Sequence, residues 1–154
     1  MAEPSRIAQA ADSREVAELL HRFNTEFDEF SPGAEVLEPR VREHVDCGLS
    51  VFLLARPRDT GVAQLRFRDY VFTGKPTCYL EELYVVPDRR GEGHGRRLME
   101  TAFEVARERG ATTMDLGTAL DDTAARSLYE SLDFTNLEQE GQPSTQMLYY
   151  EREL

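Results

Sequence analysis

The chain has 154 residues, which is enough for one domain with a core that needs no disulfide or metal ion to hold it. Its formal charge of -11 argues against nucleic acid as a partner and is compatible with cationic substrates. No apolar run approaches the ~20 residues that span a bilayer, and the N-terminus lacks the apolar block of a signal peptide, so we expect a cytoplasmic protein without a membrane partner.

The first part of the chain predicts a short edge strand followed by two helices. The strand covers residues 6–10, and Ser13 is a candidate cap for the first helix. Apolar side chains of that helix repeat at helical spacing: Val16, Leu19, Leu20, Phe23 and Phe27. Pro32 and Gly33 break this pattern, and a second short helix is predicted over residues 35–46.

Three strands separated by turns follow these helices. The predicted strands cover residues 49–55, 62–72 and 77–86, and Pro87 stops the last of them. The turn-forming sequences RPRDTG and GKP lie between the strands. Short turns of this kind predict that neighbouring strands are antiparallel.

The second half predicts a loop, a long helix, a strand and a further helix. The long helix begins near Gly95, carries one apolar stripe and ends at a glycine. A strand over residues 112–116 follows, and then a helix capped by Asp121 or Asp122. The tail, residues 146–150, alternates weakly between apolar and polar residues, which predicts a last strand.

These elements predict one α/β domain over residues 1–154, in which antiparallel strands precede a strand–loop–helix–strand–helix unit. No metal site is predicted. Cys47 and Cys78 lie 31 positions apart, with no CxxC pattern and no neighbouring histidine, and a zinc site would need more ligands. We interpret both cysteines as buried free thiols, with a disulfide as the alternative.

A loop rich in glycine and arginine joins the strand at 77–86 to the long helix. It lies within the sequence VVPDRRGEGHGRRL, residues 85–98, with glycines at positions 91, 93 and 95. Glycines let backbone amides approach a ligand, and the free N–H groups at a helix N-terminus favour an anion. The four arginines of this segment lie near the positive N-terminal end of the helix dipole, which is unfavourable unless a negative group is bound there. A pyrophosphate fits this requirement. The spacing is neither the GxGxxG of dinucleotide-binding folds nor the GxxxxGK[ST] of ATP-binding loops.

Two separated motifs accompany this loop. The first is the strand ELYVVP, residues 82–87, followed by the glycine loop and an amphipathic helix. The second is DTAARSLYESLDF, residues 122–134. Together they resemble the GNAT superfamily of N-acetyltransferases, whose second motif reads N-x-x-A-x-x-L-Y-E-x-L-G-F. Asp122 and Asp133 replace the family asparagine and glycine, which leaves the geometry of the second motif open. The sequence YLEELYV, residues 79–85, is locally similar to polyamine and diamine acetyltransferase-like members.

The resemblance implies an α/β (α+β) fold with a mixed, mainly antiparallel sheet flanked by helices and a splayed cofactor cleft between two parallel central strands. It implies acetyl-CoA as co-substrate, with the pantetheine arm paired to the backbone of residues 83–85 and the pyrophosphate on the amides of residues 91–96. The cofactor-binding residues that it implies are Leu83, Tyr84, Val85, Arg90, Gly91, Glu92, Gly93, His94, Gly95, Arg96, Asp122 and Ala125. We interpret the His94 side chain, at a spacer position, as loop surface. Superfamily members are often dimers, so a homodimer is an implied assembly.

Acetyl transfer to an amine needs a neutral nucleophile, a stabilised oxyanion and a proton for the leaving thiolate. Glu81 and Glu82 are the candidate bases, and strand alternation places them on opposite faces of the sheet. In the family, an acid at the position of Glu82 often acts through water, and in polyamine acetyltransferase-like members the acid matching Glu81 contacts the amine. Tyr129 matches the family tyrosine whose phenol donates a proton or a hydrogen bond to the departing CoA sulfur. The alternatives are solvated strand charges for the glutamates and a core aromatic for Tyr129.

The resemblance and the acidic charge together predict an acetyl-CoA-dependent N-acetyltransferase, in which a primary amine of a small cationic molecule attacks the thioester directly. Acetylation of a protein N-terminus or lysine is the alternative substrate class. A non-catalytic CoA-binding module and a nucleotide phosphotransferase are the alternatives from other functional classes. Stabilisation by acetyl-CoA without thiol release would favour the module, and stabilisation by Mg-ATP would favour phosphotransfer.

Overall fold

The computed structural model describes residues 3–154, which fall into two compact units. The first unit ends at Leu116 and the second is Gly117–Leu154. The strands, all in the first unit, are β1 (Arg6–Ile7), β2 (Val51–Leu54), β3 (Gly61–Tyr70), β4 (Lys75–Val85) and β5 (Met114–Leu116). The α-helices are α1 (Ser13–Glu26), α2 (Ala34–Asp46) and α3 (His94–Glu108) in the first unit and α4 (Thr123–Ser131) in the second. None of these helices has the length and hydrophobicity needed to cross a bilayer.

The strands lie in one sheet in the order β1-β2-β3-β4-β5. Neighbours from β1 to β4 pair antiparallel, whereas β5 runs parallel to β4 through the pairs Cys78↔Met114 and Leu80↔Leu116. The parallel pair arises because α3 connects β4 to β5 and returns the chain to the same end of the sheet. The prediction of an α/β fold with a mixed, mainly antiparallel sheet flanked by helices is confirmed.

Alternation along the strands sends apolar side chains to both faces of the sheet. One face packs against α1 and α2 in a core made of Ala8, Val16, Ala17, Leu19, Val41, Phe52, Leu54, Val62, Tyr84 and Val86. The intervening residues Leu53, Ala63 and Leu65 are also buried, and they point to the opposite face, where α3 contacts β2, β3 and β4. Leu98 and Met99 of α3 are fully buried. The sheet of the first unit is therefore covered by helices on both faces.

The helix boundaries differ from the prediction mainly in the first turns. α1 is capped at Asp12, so Ser13 is its first residue rather than its cap, and the Ser13 hydroxyl donates to the Ala10 carbonyl at 2.6 Å. α3 begins at His94, one residue before the predicted Gly95. Apolar spacing thus predicts the helices well, whereas their first residues depend on local hydrogen bonds.

The tail and one cysteine also differ from the prediction. Residues 146–150 form no strand in the part of the chain that the structure describes, because Gln146 makes only an isolated bridge to Leu137 and no strand extends it. Cys47 is exposed rather than buried, since it follows the last turn of α2. Cys78 is buried in β4, as predicted, and both thiols are free.

Candidate active site

Strand β4 is irregular where the predicted site begins. Gln64 of β3 pairs with Glu82, but the next residue, Leu65, pairs with Leu80, so Glu81 is a β-bulge without a partner on β3. The bulge interrupts the regular alternation on which the expectation of opposite faces for Glu81 and Glu82 relied. Glu81 is exposed, whereas Glu82, which shares the face of Gln64, is half-buried.

One edge of β4 opens beyond the bulge. β5 pairs with β4 only from Cys78 to Leu80, and β4 continues to Val85. Among the described residues, no strand pairs with the β5-side edge of residues 81–85. Because β5 ends at Leu116, backbone N–H and C=O groups of this edge lack a strand partner and can pair with an extended ligand. An edge of this kind is what a cofactor cleft beside the parallel pair requires.

A tight loop connects β4 to α3. A 3-10 turn, Pro87–Arg89, is followed by two glycines with positive φ, Gly91 at 79° and Gly93 at 83°. Gly93 is the N-cap residue of α3, so the free N–H groups in the first turn of this 15-residue helix adjoin the loop. A Cβ atom at Gly91 would have nothing within 4 Å, which leaves open space over the backbone. These features fit a diphosphate group, because backbone amides can approach it closely.

Side chains within the loop brace its conformation. His94 is only 4% exposed, and its Nε2 lies 3.0 Å from Oε2 of Glu92 while its Nδ1 lies 3.1 Å from Nη2 of Arg97. The same Nη2 of Arg97 donates to the Glu92 carbonyl oxygen at 2.8 Å. The expectation that the His94 side chain is loop surface is therefore wrong. As the first residue of α3, it turns inward between Glu92 and Arg97.

Arg90 connects the loop to α1 and to the end of β4. Its Nη2 donates to Oε2 of Glu26 at 2.6 Å, and its Nε donates to the Val85 carbonyl oxygen at 2.9 Å. Glu26 is the last residue of α1, and its Oε1 accepts a hydrogen bond of 3.0 Å from the Tyr84 hydroxyl. Burial, followed by the bond to Glu26, raises the pKa of the Tyr84 phenol above its usual value of 10.0, so that the hydroxyl remains a donor at neutral pH.

The carboxyl group of Glu82 titrates near neutrality. Burial is the main cause that raises its pKa from 4.5 to about 7, and the negative charge of Glu81 adds to the effect. No group among the described residues donates a hydrogen bond that would hold Glu82 in its ionised form. A carboxylate with this pKa can accept a proton at neutral pH, which is the property that a general base needs.

The remaining predicted residues lie in the second unit, on or beside α4. Asp122 caps this helix, one of the two predicted caps, and its Oδ1 accepts from the Ala125 backbone N–H at 3.1 Å. Tyr129 is 9% exposed, and its ring contacts Phe134 edge-on with centroids 5.8 Å apart. Asp133 has φ 65°, so it takes the left-handed conformation expected of the family glycine. Aspartate therefore meets the local backbone requirement at both positions where the chain departs from the family pattern.

The chain matches known proteins over most of its length. Residues 14–134 match the model of the Acetyltransferase (GNAT) family. The chain belongs to this family. The match runs from α1 through α4 and includes every residue predicted for catalysis and for cofactor binding. The protein is therefore a GNAT acetyltransferase that uses an acyl-CoA donor, and the resemblance carried by the two motifs is confirmed.

Proteins similar to this GNAT chain include named N-acetyltransferases and solved structures. The uncharacterized N-acetyltransferase YhfO of Bacillus subtilis (strain 168) is 32% identical over 130 residues, which is 81% of this chain and 85% of YhfO. Thialysine N-epsilon-acetyltransferase of Bos taurus is 25% identical over 138 residues, which is 82% of this chain and 81% of that enzyme. A crystal structure of a protein described as an acetyltransferase from Arthrobacter sp. FB24 has a TM-score of 0.89 at 41% identity, and the match covers 99% of this chain and 96% of that one.

Several polar residues of the site carry no signal in the sequence: Glu26, His44, Ser50 and Gln64. Glu26 binds Arg90, which lies 64 positions later in the chain. Gln64 pairs with Glu82 only because of the register of β3 and β4. Since the contacts of Glu26 with Arg90 and of Gln64 with Glu82 join distant segments, no local spacing could have marked these residues.

Proposed function

We propose that this GNAT enzyme moves the acetyl group of acetyl-CoA to the primary amine of a small cationic molecule. The observation that carries the proposal is the half-buried Glu82 carboxyl, beside the bulge and the open edge of β4, with a pKa of about 7. An alkylamine is protonated at neutral pH, and a base of this kind can remove its proton before attack. We assign Glu81, on the exposed bulge, to attracting the cationic amine.

The charge of the chain and one of its relatives support a small cationic acceptor. A formal charge of -11 attracts ammonium groups, which favours a cationic acceptor. The related thialysine N-epsilon-acetyltransferase acts, by its name, on the ε-amine of thialysine. We assign the same class of acceptor, a small molecule with a primary amine, to this chain.

We assign the open edge of β4 and the glycine loop to acetyl-CoA, which is a substrate here. The backbone of residues 83–85 pairs with the pantetheine arm, and an N–H of this segment holds the oxyanion. The amides of residues 91–96 hold the diphosphate, with Arg96 beside them. Because Arg90 is bonded to Glu26, its proposed part is to support the loop.

We assign Tyr129 to the leaving group. Its phenol supplies a proton to the CoA sulfur as the C–S bond breaks, so that a thiol rather than a thiolate departs. Asp122 and Ala125, whose hydrogen bond caps α4, support the helix that carries this tyrosine.

A thiol-release assay tests this proposal. The protein and acetyl-CoA are offered spermidine, thialysine, an aminoglycoside and a lysine-containing peptide in parallel. We expect release with at least one of the small amines and little with the peptide. Release with the peptide alone would refute the small-molecule acceptor and favour protein acetylation. If acetyl-CoA stabilises the protein but no amine causes thiol release, the proposal of an active enzyme is refuted and the protein is a CoA-binding module.

A further inference from the structure

A chain of three polar side chains ends beside Glu82. The Ser50 hydroxyl lies 2.8 Å from Nδ1 of His44 and accepts a hydrogen bond of 2.9 Å from Nε2 of Gln64. Ser50 is 4% exposed, and both of its partners are half-buried. The chain of hydrogen bonds therefore runs from the last turn of α2, through the residue that precedes β2, to the middle of β3.

The register of the sheet places Gln64 next to the proposed base. Gln64 and Glu82 are directly opposite each other on β3 and β4, so they share one face with Cβ atoms about 5 Å apart. Tyr84, two residues beyond Glu82, lies on the same face, and its hydroxyl bonds to Glu26 at the end of α1. On one side of this pair, Tyr84 connects the sheet to the end of α1. On the other side, Ser50 connects Gln64 to the end of α2.

The contact with Ser50 decides which end of the Gln64 amide remains available. Because Nε2 donates to Ser50, the carbonyl oxygen Oε1 points away from it, and none of the described residues donates a hydrogen bond to that oxygen. Ser50 is itself in contact with His44, and rotation of the amide away from Ser50 would break a partly buried hydrogen bond. Gln64 and Glu82 therefore offer two acceptors side by side, which suits a group with several N–H donors.

We propose that Gln64 is a substrate-contacting residue, whose Oε1 accepts a hydrogen bond from the acceptor amine while that amine faces Glu82. Ser50 and His44 are positioning residues, because they hold the amide in place. This inference rests on the proposed function, in which Glu82 is the base.

The chemistry of the contact is balanced in protons and bonds. The incoming ammonium donates one N–H to Gln64 and another to Glu82, and the carboxylate of Glu82 takes the second proton. The nitrogen lone pair then forms the C–N bond to the acetyl carbonyl carbon, and the C–S bond breaks. The nitrogen loses one further proton as the amide forms, and the departing sulfur gains one.

Steady-state kinetics of Gln64→Met, Gln64→Glu and Ser50→Ala, with spermidine and thialysine as probes, test the contact. Methionine has a similar length but no comparable acceptor, so KM for the amine should rise about tenfold or more while kcat changes less than about twofold. Glutamate loses the Nε2 donor to Ser50 but keeps acceptor oxygens, and its negative charge attracts the ammonium group, so Gln64→Glu should hold KM at or below the wild-type value. Ser50→Ala releases the amide and should raise KM by about threefold.

Thr77→Val is the matched control, since it removes a hydroxyl from β4 nearer the hairpin turn and should alter neither constant. Calorimetry should give the same acetyl-CoA affinity for every variant, and thermal unfolding shows which variants fold. A KM for Gln64→Met within about twofold of the wild type, or an equal rise in Gln64→Glu, overturns the oxygen contact. If Gln64→Met does not fold, the KM of Ser50→Ala decides the question. Turnover with unchanged KM in these variants refutes the Gln64 contact alone. No turnover of spermidine, thialysine or the aminoglycoside by the wild type refutes the small-amine proposal as well.

Discussion

Replacing the proposed base by its amide, Glu82→Gln, should make the protein more stable and less active, and the gain in stability should depend on pH. Burial and the charge of Glu81 hold the pKa of Glu82 at about 7, compared with an ordinary value of 4.5. That difference is equivalent to about 3 kcal/mol of folding free energy, and partial contact with water reduces the expected effect to about 1–2 kcal/mol.

The pH range of the effect follows from the two pKa values. Below pH 4.5 the Glu82 carboxyl is protonated in the folded and the unfolded chain, so it has no effect on the free energy of unfolding. Between pH 4.5 and about 7 the unfolded chain loses this proton first, so the free energy of unfolding of the wild type falls as pH rises. Glutamine does not ionise. Glu82→Gln should therefore equal the wild type near pH 4 and exceed its free energy of unfolding by about 1–2 kcal/mol near pH 8.

Urea unfolding and thiol release, measured across the same pH range, test both halves of this prediction. In the wild type, kcat/KM should rise with pH until about 7, and Glu82→Gln should lower it about a hundredfold or more. Glu81→Gln is the matched control, because it removes the same charge from the exposed neighbour and should raise KM for a cationic amine more than it lowers kcat. A stability difference between Glu82→Gln and the wild type that is the same at every pH would refute the raised pKa, and the case for Glu82 as base with it.

Three further substitutions test the loop and the second unit. Gly93→Val should weaken acetyl-CoA binding at least about tenfold by calorimetry, because φ at this position is 83° and a Cβ would lie 3.2 Å from Nη1 of Arg97. Normal affinity in the folded variant would contradict the loop as the diphosphate site. Tyr129→Phe should lower kcat about tenfold or more and leave acetyl-CoA affinity unchanged; unchanged kcat would remove the phenol from the mechanism. His94→Ala should lower the free energy of unfolding by about 1–3 kcal/mol in urea and weaken acetyl-CoA binding, since the loop loses two buried contacts. Retention of both properties would show that His94 does not brace the loop.

The regular elements and the loop could be predicted from sequence because their signals are local. The apolar repeat of Val16, Leu19 and Phe23 predicts α1 within one residue of its observed start. The glycines at 91 and 93 predict a backbone conformation that other residues rarely adopt, and both glycines have positive φ in the structure. The capping position of Asp122 follows in the same way from its place before a helical repeat.

The geometry around Glu82 could not be predicted, because it depends on the relation between two strands. Whether Glu81 is a bulge is decided by counting residues on β3 and β4 together, and neither strand alone carries that information. The half-burial that raises the Glu82 pKa depends in turn on the helices packed over this face. The buried position of His94 had a local signal, since Arg97 follows three residues later on the same helix face.

The four arginines of the loop have a different role from the one that their charge suggests. In sequence they indicate a bound anion, but the structure shows contacts with protein groups: Arg89 pairs with Glu92, Arg90 with Glu26, and Arg97 with His94 and the Glu92 carbonyl. Carboxylates therefore neutralise part of this charge within the protein itself. The same contacts hold the turn in which Gly93 begins α3 and leaves the first N–H groups of the helix without carbonyl partners. The arginines thus shape the loop, and its capacity to bind a diphosphate rests mainly on the backbone amides that this shape exposes.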